Sequence, residues 1–189
     1  MRKDPARLRH RPFLTPIWLL GLTALAAALA LTFTAWLWVT ADSTTVIVIR
    51  DAEKAQGGGV DPPLSRTGEE RAALLARMFG DAQLPGHIDA IYVTPALHNR
   101  QTATPLAAQL GVIPTVAPAD DPRGLARRVL REHSGTRILV VGHLDTVPGI
   151  VAELSGAENI PPIGTDEYGT MYVVTVPRIG HSNLLRLHY

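Results

Sequence analysis

Between Ile17 and Val39 the chain runs for 23 residues without a charged side chain. At a helical rise of about 1.5 Å per residue this segment reaches roughly 34 Å, enough to cross a bilayer core of about 30 Å with some tilt. Trp18 lies near one end, with Trp36 and Trp38 near the other, where indoles prefer the membrane–water boundary. Arg2, Lys3, Arg7, Arg9 and Arg11 precede the segment. The positive-inside rule then puts residues 1–16 in the cytoplasm as a basic tail, 17–39 across the membrane as an anchor, and everything beyond on the far side, periplasmic or at the cell surface. A cleaved signal peptide is the rival reading, because Val39-Thr40-Ala41 resembles a small-residue cleavage site. The apolar stretch is longer than the usual signal core of about 7–15 residues, which favours an uncleaved anchor. A buried core helix fits poorly, since the segment is apolar all round and arginines flank it.

Residues 1–41 hold five basic residues and one acid, and the other 148 hold thirteen basic and sixteen acidic residues. A mildly acidic body carries no basic footprint, so nucleic acid is not an expected partner. The absence of cysteine excludes disulfides, thiolate metal sites and a thiol nucleophile. His87, His133, His181 and His188 share no ligand-like spacing, so neither a metal site nor a cofactor is expected.

Beyond Ala41, strand and helix patterns alternate. Thr44–Ile49 is a short β-branched run read as a buried strand. Thr67 and Glu70 read as a capping box opening a helix that stops near Gly80. Ile88–Val93, Val112–Val116 and Arg137–Val141 read as strands, with helices over Asn99–Leu110 and from Asp121-Pro122 onward. Val147, Ile150, Val151 and Leu154 follow helical spacing, and Met171–Val176 and Leu184–Leu187 read as late strands. The expected architecture is a single α/β domain over 44–189, a mostly parallel sheet with helices on both faces, preceded by one transmembrane helix. Gly57-Gly58-Gly59 has no Gly-Lys-Ser/Thr and no helix start after it, and reads as a loop beside the site rather than a phosphate cradle.

In such a sheet, ligands bind outside the carboxyl ends of the strands. The first strand ends in Arg50-Asp51-Ala52-Glu53-Lys54 and the fourth in Gly142-His143-Leu144-Asp145, while Thr94 to Arg100 follow the second. Arg50, Asp51, His98, Arg100 and His143 could therefore share one crevice. Arginine offers a planar fork for phosphate or carboxylate, and histidine is the usual acid, base or nucleophile near neutral pH.

The segments VIVIRDAEK, DPPLSRTGEERAALLA, IYVTPALHNRQTATPLA and ILVVGHLDTVPGIVAEL, in that order, resemble the short single-domain branch of the histidine phosphatase superfamily, the phosphoglycerate-mutase-like fold. The resemblance runs from about Val46 to Tyr189. It implies a pocket of two arginines and two histidines, one histidine becoming phosphorylated. On that pattern Arg50 matches the first arginine, and Asp51 stands at the nucleophile position. His98 stands at the second arginine, four residues before Thr102, and His143 is the retained second histidine. Arg100 occupies a place that is often basic. The general acid has no clear counterpart, and Asp120 and Asp121 are the nearest candidates.

The resemblance thus implies Asp51 and His143 at catalytic positions and Arg50, His98 and Arg100 at phosphate-binding ones. An aspartate brings negative charge against a phosphate dianion, and replacing arginine by histidine removes a permanent positive charge. Both changes weaken phosphoryl transfer. The expectation is a membrane-anchored pseudophosphatase that binds a phosphorylated small molecule, a phosphoprotein or another anionic ligand or partner. The alternatives are a weakly active phosphatase with a rewired site and a purely structural tethered domain.

Overall fold

In the computed structural model the described residues are 17–41, 43–57, 59–81 and 86–189. The basic tail of residues 1–16 and Gly58 of the glycine triplet lie outside them. The chain falls into two units, 1–38 and 39–189.

Helix α1 (Ile17–Ala41), 25 residues long, supplies the described residues of the first unit. Its stretch from Trp18 to Trp38 is long and apolar enough to cross a membrane, and none of it is buried. The hydroxyls of Thr23, Thr32 and Thr34 donate back to the carbonyls of Leu20, Leu29 and Leu31. Polar side chains that satisfy themselves on their own helix suit a medium without water.

The second unit is a six-stranded sheet in the order β3-β2-β4-β1-β5-β6. Strands β1 (Thr44–Arg50), β2 (Ala90–Val93), β3 (Thr115–Val116) and β4 (Arg137–Gly142) pair in parallel, while β5 (Thr170–Val176) and β6 (Asn183–His188) add an antiparallel edge. Alternation along β1 sends Val46 and Val48 to one face, where Leu125, Val129, Ile150 and Leu154 cover them from α4 (Pro122–Glu132) and α5 (Val147–Ser155). Ile47 and Ile49 point to the other face, under Leu75 of α2 (Arg66–Gly80) and Ala103 and Leu106 of α3 (Leu97–Leu110). The expected parallel-dominated sheet covered on both sides is what the chain forms.

Element starts differ from the sequence reading in informative ways. Helix α2 is capped by Ser65, whose hydroxyl accepts from the Gly68 amide, and not by Thr67. Ser65 has the extended backbone of a cap, φ −74° and ψ 169°, so the helix begins earlier than the Thr67–Glu70 pair suggests. Helix α3 begins at Leu97 rather than Asn99, because the Asp61 carboxylate accepts from the Leu97 amide at 2.9 and 3.1 Å. That long-range cap does the work its own N-cap residue, Ala96, cannot do. Strand β3 is only two residues long. Pro114, just ahead of it, has no amide proton to extend the ladder.

Candidate functional site

The order β2-β4-β1 sets three parallel strand ends side by side. The amide of Asp51 donates to the Gly142 carbonyl at 2.9 Å, carrying the β1–β4 ladder one residue past Arg50. Asp51 therefore leaves β1 next to His143 leaving β4, while Thr94 follows β2 and leads toward His98 on the first turn of α3. Thr102, one turn further along α3, fixes the frame. Its hydroxyl donates to the His98 carbonyl at 2.7 Å and accepts from the Ala52 amide at 3.1 Å.

Asp51 and His98 are buried, 1% and 5% exposed, and His143 is partly open. Asp51 Oδ2 lies 3.6 Å from His98 Nε2, and Oδ1 lies 3.5 Å from His143 Nδ1. The two imidazole centroids are 5.2 Å apart with planes inclined by 55°. Thr94 Oγ1 stands 3.2 Å from His143 Nε2. His98 Nδ1 points to Asp61 Oδ1 at 3.5 Å. Lys54, the one lysine after residue 3, brings Nζ to 3.6 Å from Asp51 Oδ2.

Two opposing effects act on Asp51. Burial pushes its pKa up, but the His143 hydrogen bond and the fields of Lys54, His143 and His98 outweigh it, and the carboxyl sits below its usual range. Burial also holds the His98 imidazole below its ordinary value, against the upward pull of Asp51. The site at neutral pH is an ionised carboxylate facing a neutral imidazole.

The two arginines are not part of this cluster. Arg50 is buried, and its Nη1 donates to the carbonyls of Thr165 at 2.7 Å and Gly164 at 3.0 Å. Its guanidinium lies 3.9 Å over the Tyr168 ring. Nη1 of the expected phosphate fork is thus engaged with the 164–167 carbonyls, while the buried Nε has no hydrogen-bond partner. Arg100 is exposed and borders a separate recess with Leu97, Thr104 and Pro114. Two residues along a helix turn a side chain by about 200°, so Arg100 leaves α3 on the side away from His98. Asp121 caps α4 by accepting from the Gly124 amide at 2.8 Å, a structural task, and Asp120 is exposed.

Sequence reading passed over Lys54, Asp61, Thr94 and Thr102 as site residues. Each is a common polar residue whose role comes from long-range placement, and only the proximity of Lys54 and Thr94 to strand ends could have flagged them. The expectation of no metal site rested on spacing among other histidines. Asp51, His98 and His143 come from three separate elements, and each presents a ligand atom within 4.8 Å of the other two.

A cavity of about 540 Å³ lies elsewhere, bordered by Arg71, Glu167, Tyr168, His188 and Tyr189. Beside it, Glu53 grips Arg71 through both carboxylate oxygens, and Arg71 Nη1 donates to the Tyr189 carbonyl, tying the chain end to α2.

The family model of the histidine phosphatase superfamily (branch 1) matches residues 42–120. Among solved structures, the protein histidine phosphatase SixA complexed with tungstate superposes with a TM-score of 0.59 at 20% identity, over 76% of this chain and 96% of that one. A mycobacterial glucosyl-3-phosphoglycerate phosphatase superposes with a TM-score of 0.59 at 13% identity, over 75% of this chain and 97% of that one. No curated relative matches by sequence.

Proposed function

We propose that this chain, whose fold is that of the histidine phosphatase superfamily, is a membrane-tethered member that no longer transfers phosphate through a covalent histidine and serves as a binding module. The observation that carries this reading is the Asp51 carboxylate, buried at the end of β1 with His98 and His143 at 3.6 and 3.5 Å. A carboxylate at that place repels the dianion that a neutral imidazole would attack. Asp61 adds a second negative group beside His98, Lys54 is the one cation at contact, and the hydrogen bonds of Arg50 go to the 164–165 carbonyls.

The same charges count against a phosphorylated ligand at this position. Phosphate recognition relies on charge-assisted donors, most effectively guanidinium forks. Here the buried Asp51 carboxylate lies between two imidazoles, with the half-exposed Asp61 carboxylate beside His98 and Lys54 as the cation at contact. The domain keeps the scaffold of a phosphatase with a centre built for something other than a phosphate.

Helix α1 supplies the tether. The basic residues between Arg2 and Arg11 orient the N-terminus to the cytoplasm and the domain to the opposite side.

The test is an assay of the full chain in detergent with an aryl phosphate, combined with a search for acid-labile phosphoenzyme. The expected result is neither turnover nor phosphohistidine. Turnover of several per second, close to ordinary enzyme rates of about 10 per second, would overturn the reading in favour of a rewired phosphatase.

A further inference from the structure

We propose that Asp51, His98 and His143 form a binding site for a divalent transition-metal ion of the Zn²⁺ type, a two-histidine, one-carboxylate set at the place where the fold would otherwise hold its phosphate chemistry.

The donor atoms carry the argument. A Zn²⁺ ion with bonds of about 2.0–2.1 Å holds tetrahedral ligands roughly 3.3 Å apart. The carboxylate–imidazole separations here are 3.6 Å from Oδ2 to His98 Nε2 and 3.5 Å from Oδ1 to His143 Nδ1, and one ligand atom from each residue lies within 4.8 Å of the other two, so a small closing of the ring brings them to that spacing. A phosphate would need a full hydrogen-bond length between each donor and each of its oxygens, and so a wider ring of groups. Three atoms this close suit one shared ion.

A second observation points the same way. Asp51 Oδ2 and both ring nitrogens of His98 are buried without a hydrogen-bond partner. Buried polar atoms are ordinarily satisfied, because leaving one unpaired costs about 1–3 kcal/mol. Both residues are more than nine-tenths buried, and Asp51 Oδ2 and His98 Nε2 face each other at 3.6 Å. A shared cation satisfies both together.

The surroundings are those of a ligand set. His143 Nε2 is within hydrogen-bond reach of Thr94 Oγ1 at 3.2 Å, and Nδ1 faces Asp51 Oδ1 at 3.5 Å, where a bound ion takes the place of the Nδ1 proton. His98 turns Nδ1 toward the Asp61 carboxylate and Nε2 toward Asp51. An outer carboxylate or hydroxyl on the far nitrogen of a ligating histidine fixes its tautomer and orientation. Three protein ligands leave a coordination position open, as in sites where a metal meets a further ligand. Lys54 is the competitor. Its ammonium sits 3.6 Å from Asp51 Oδ2 but is 38% exposed on a flexible stem, free to swing into solvent when an ion arrives.

The test is calorimetric titration of Zn²⁺ into the full chain in detergent, with Co²⁺ absorption as a spectroscopic check of imidazole coordination. One ion per chain is expected. Asp51→Asn, His98→Gln and His143→Gln should each weaken binding by about tenfold or more, on the scale of lost metal-site partners. His133→Gln, outside the cluster, should leave it unchanged. Lys54→Gln alters a half-exposed side chain and should tighten binding severalfold, which keeps the proposal testable if a core variant unfolds. Absence of binding, equal binding by the folded His98→Gln chain, or weaker binding by Lys54→Gln would overturn the site. Phosphate-ester turnover by the Zn²⁺-loaded chain would instead overturn the function proposed above and leave the metal site standing.

Discussion

The hydroxyl of Thr94 stands 3.2 Å from Nε2 of His143, which commits the other ring nitrogen to Asp51. Thr94 follows β2 and His143 follows β4, so the contact is a product of strand adjacency. Thr94→Val keeps the shape and removes the hydroxyl. The imidazole then loses the contact that holds its Nε2 edge in place. We expect Zn²⁺ affinity to fall by about tenfold to a hundredfold with unchanged stoichiometry. Titration of the variant beside the natural chain checks this, and equal affinities would show that Thr94 does not orient the ring.

Restoring the family pattern tests the phosphatase reading from the other side. Asp51→His supplies a nucleophile, and His98→Arg supplies a guanidinium. Both act on one phosphate, so the double variant should exceed the product of the singles, with a coupling of about 0.5–3 kcal/mol. The natural chain should lie at least about 10²-fold below the double in kcat/KM, as expected for a lost nucleophile. Because Arg50 is bound to the Thr165 and Gly164 carbonyls, the rescue is expected to be partial. Phosphohistidine at position 51 in the double variant is the diagnostic product.

Much of this arrangement was legible in the residues themselves. The β-branched run at Thr44–Ile49 and the apolar spacing from Val147 to Leu154 report burial directly, so strand β1 and helix α5 follow from periodicity. That Asp51, His98 and His143 converge follows from strand ends in a parallel sheet. What could not be read is where long side chains reach. Arg50 leaves its strand toward Tyr168, more than a hundred residues away in sequence, and its carbonyl partners have no signature of their own. Asp61 caps a helix 36 residues downstream, which moves the start of α3 and brings a carboxylate to His98. Propensity and spacing see neither.

Topology has a direct readout. Expressed in a bacterial host, the full chain should stay with membranes through an alkaline carbonate wash, and a chain lacking residues 17–39 should not. Protease added to spheroplasts should digest the domain and spare a tag placed before Arg2. Protection of the domain would place it on the cytoplasmic side.

Glu167 links stability to acid. Its carboxyl is held down to about 2 by the Thr170 hydroxyl, the Gly164 amide and the Arg186 guanidinium, with His188 Nε2 also facing it at 3.3 Å. A depressed folded-state pKa means that the unfolded chain takes up the proton first. The stabilisation is present above the ordinary value of 4.5 and is lost as pH falls toward about 2. Thermal midpoints should decline through that window, and Glu167→Gln should flatten the decline. An unchanged slope in the variant would remove Glu167 as its source.

Gly68 is where helix α2 presses on the loop that follows β1. A Cβ there would stand 2.2 Å from the Glu53 carbonyl oxygen, a backbone atom that cannot step aside. Alanine would favour the helix by about 1 kcal/mol. Overpacking of about 1–3 kcal/mol should exceed that gain, so Gly68→Ala lowers stability overall. Urea unfolding of the full chain in detergent measures the balance, and a stabilised variant would show that the loop yields.

Position 51 is held by its amide on the Gly142 carbonyl, position 98 by its carbonyl on Thr102, and position 143 by its amide on the Thr146 hydroxyl. Every one of these anchors grips main-chain atoms and is indifferent to the side chain borne there. A lineage can therefore exchange nucleophile for ligand at such places without first dismantling the frame. Exchange at positions 51 and 98 alone then alters the chemistry while the frame stands, and superposition is a poor guide to which chemistry a chain of this fold carries.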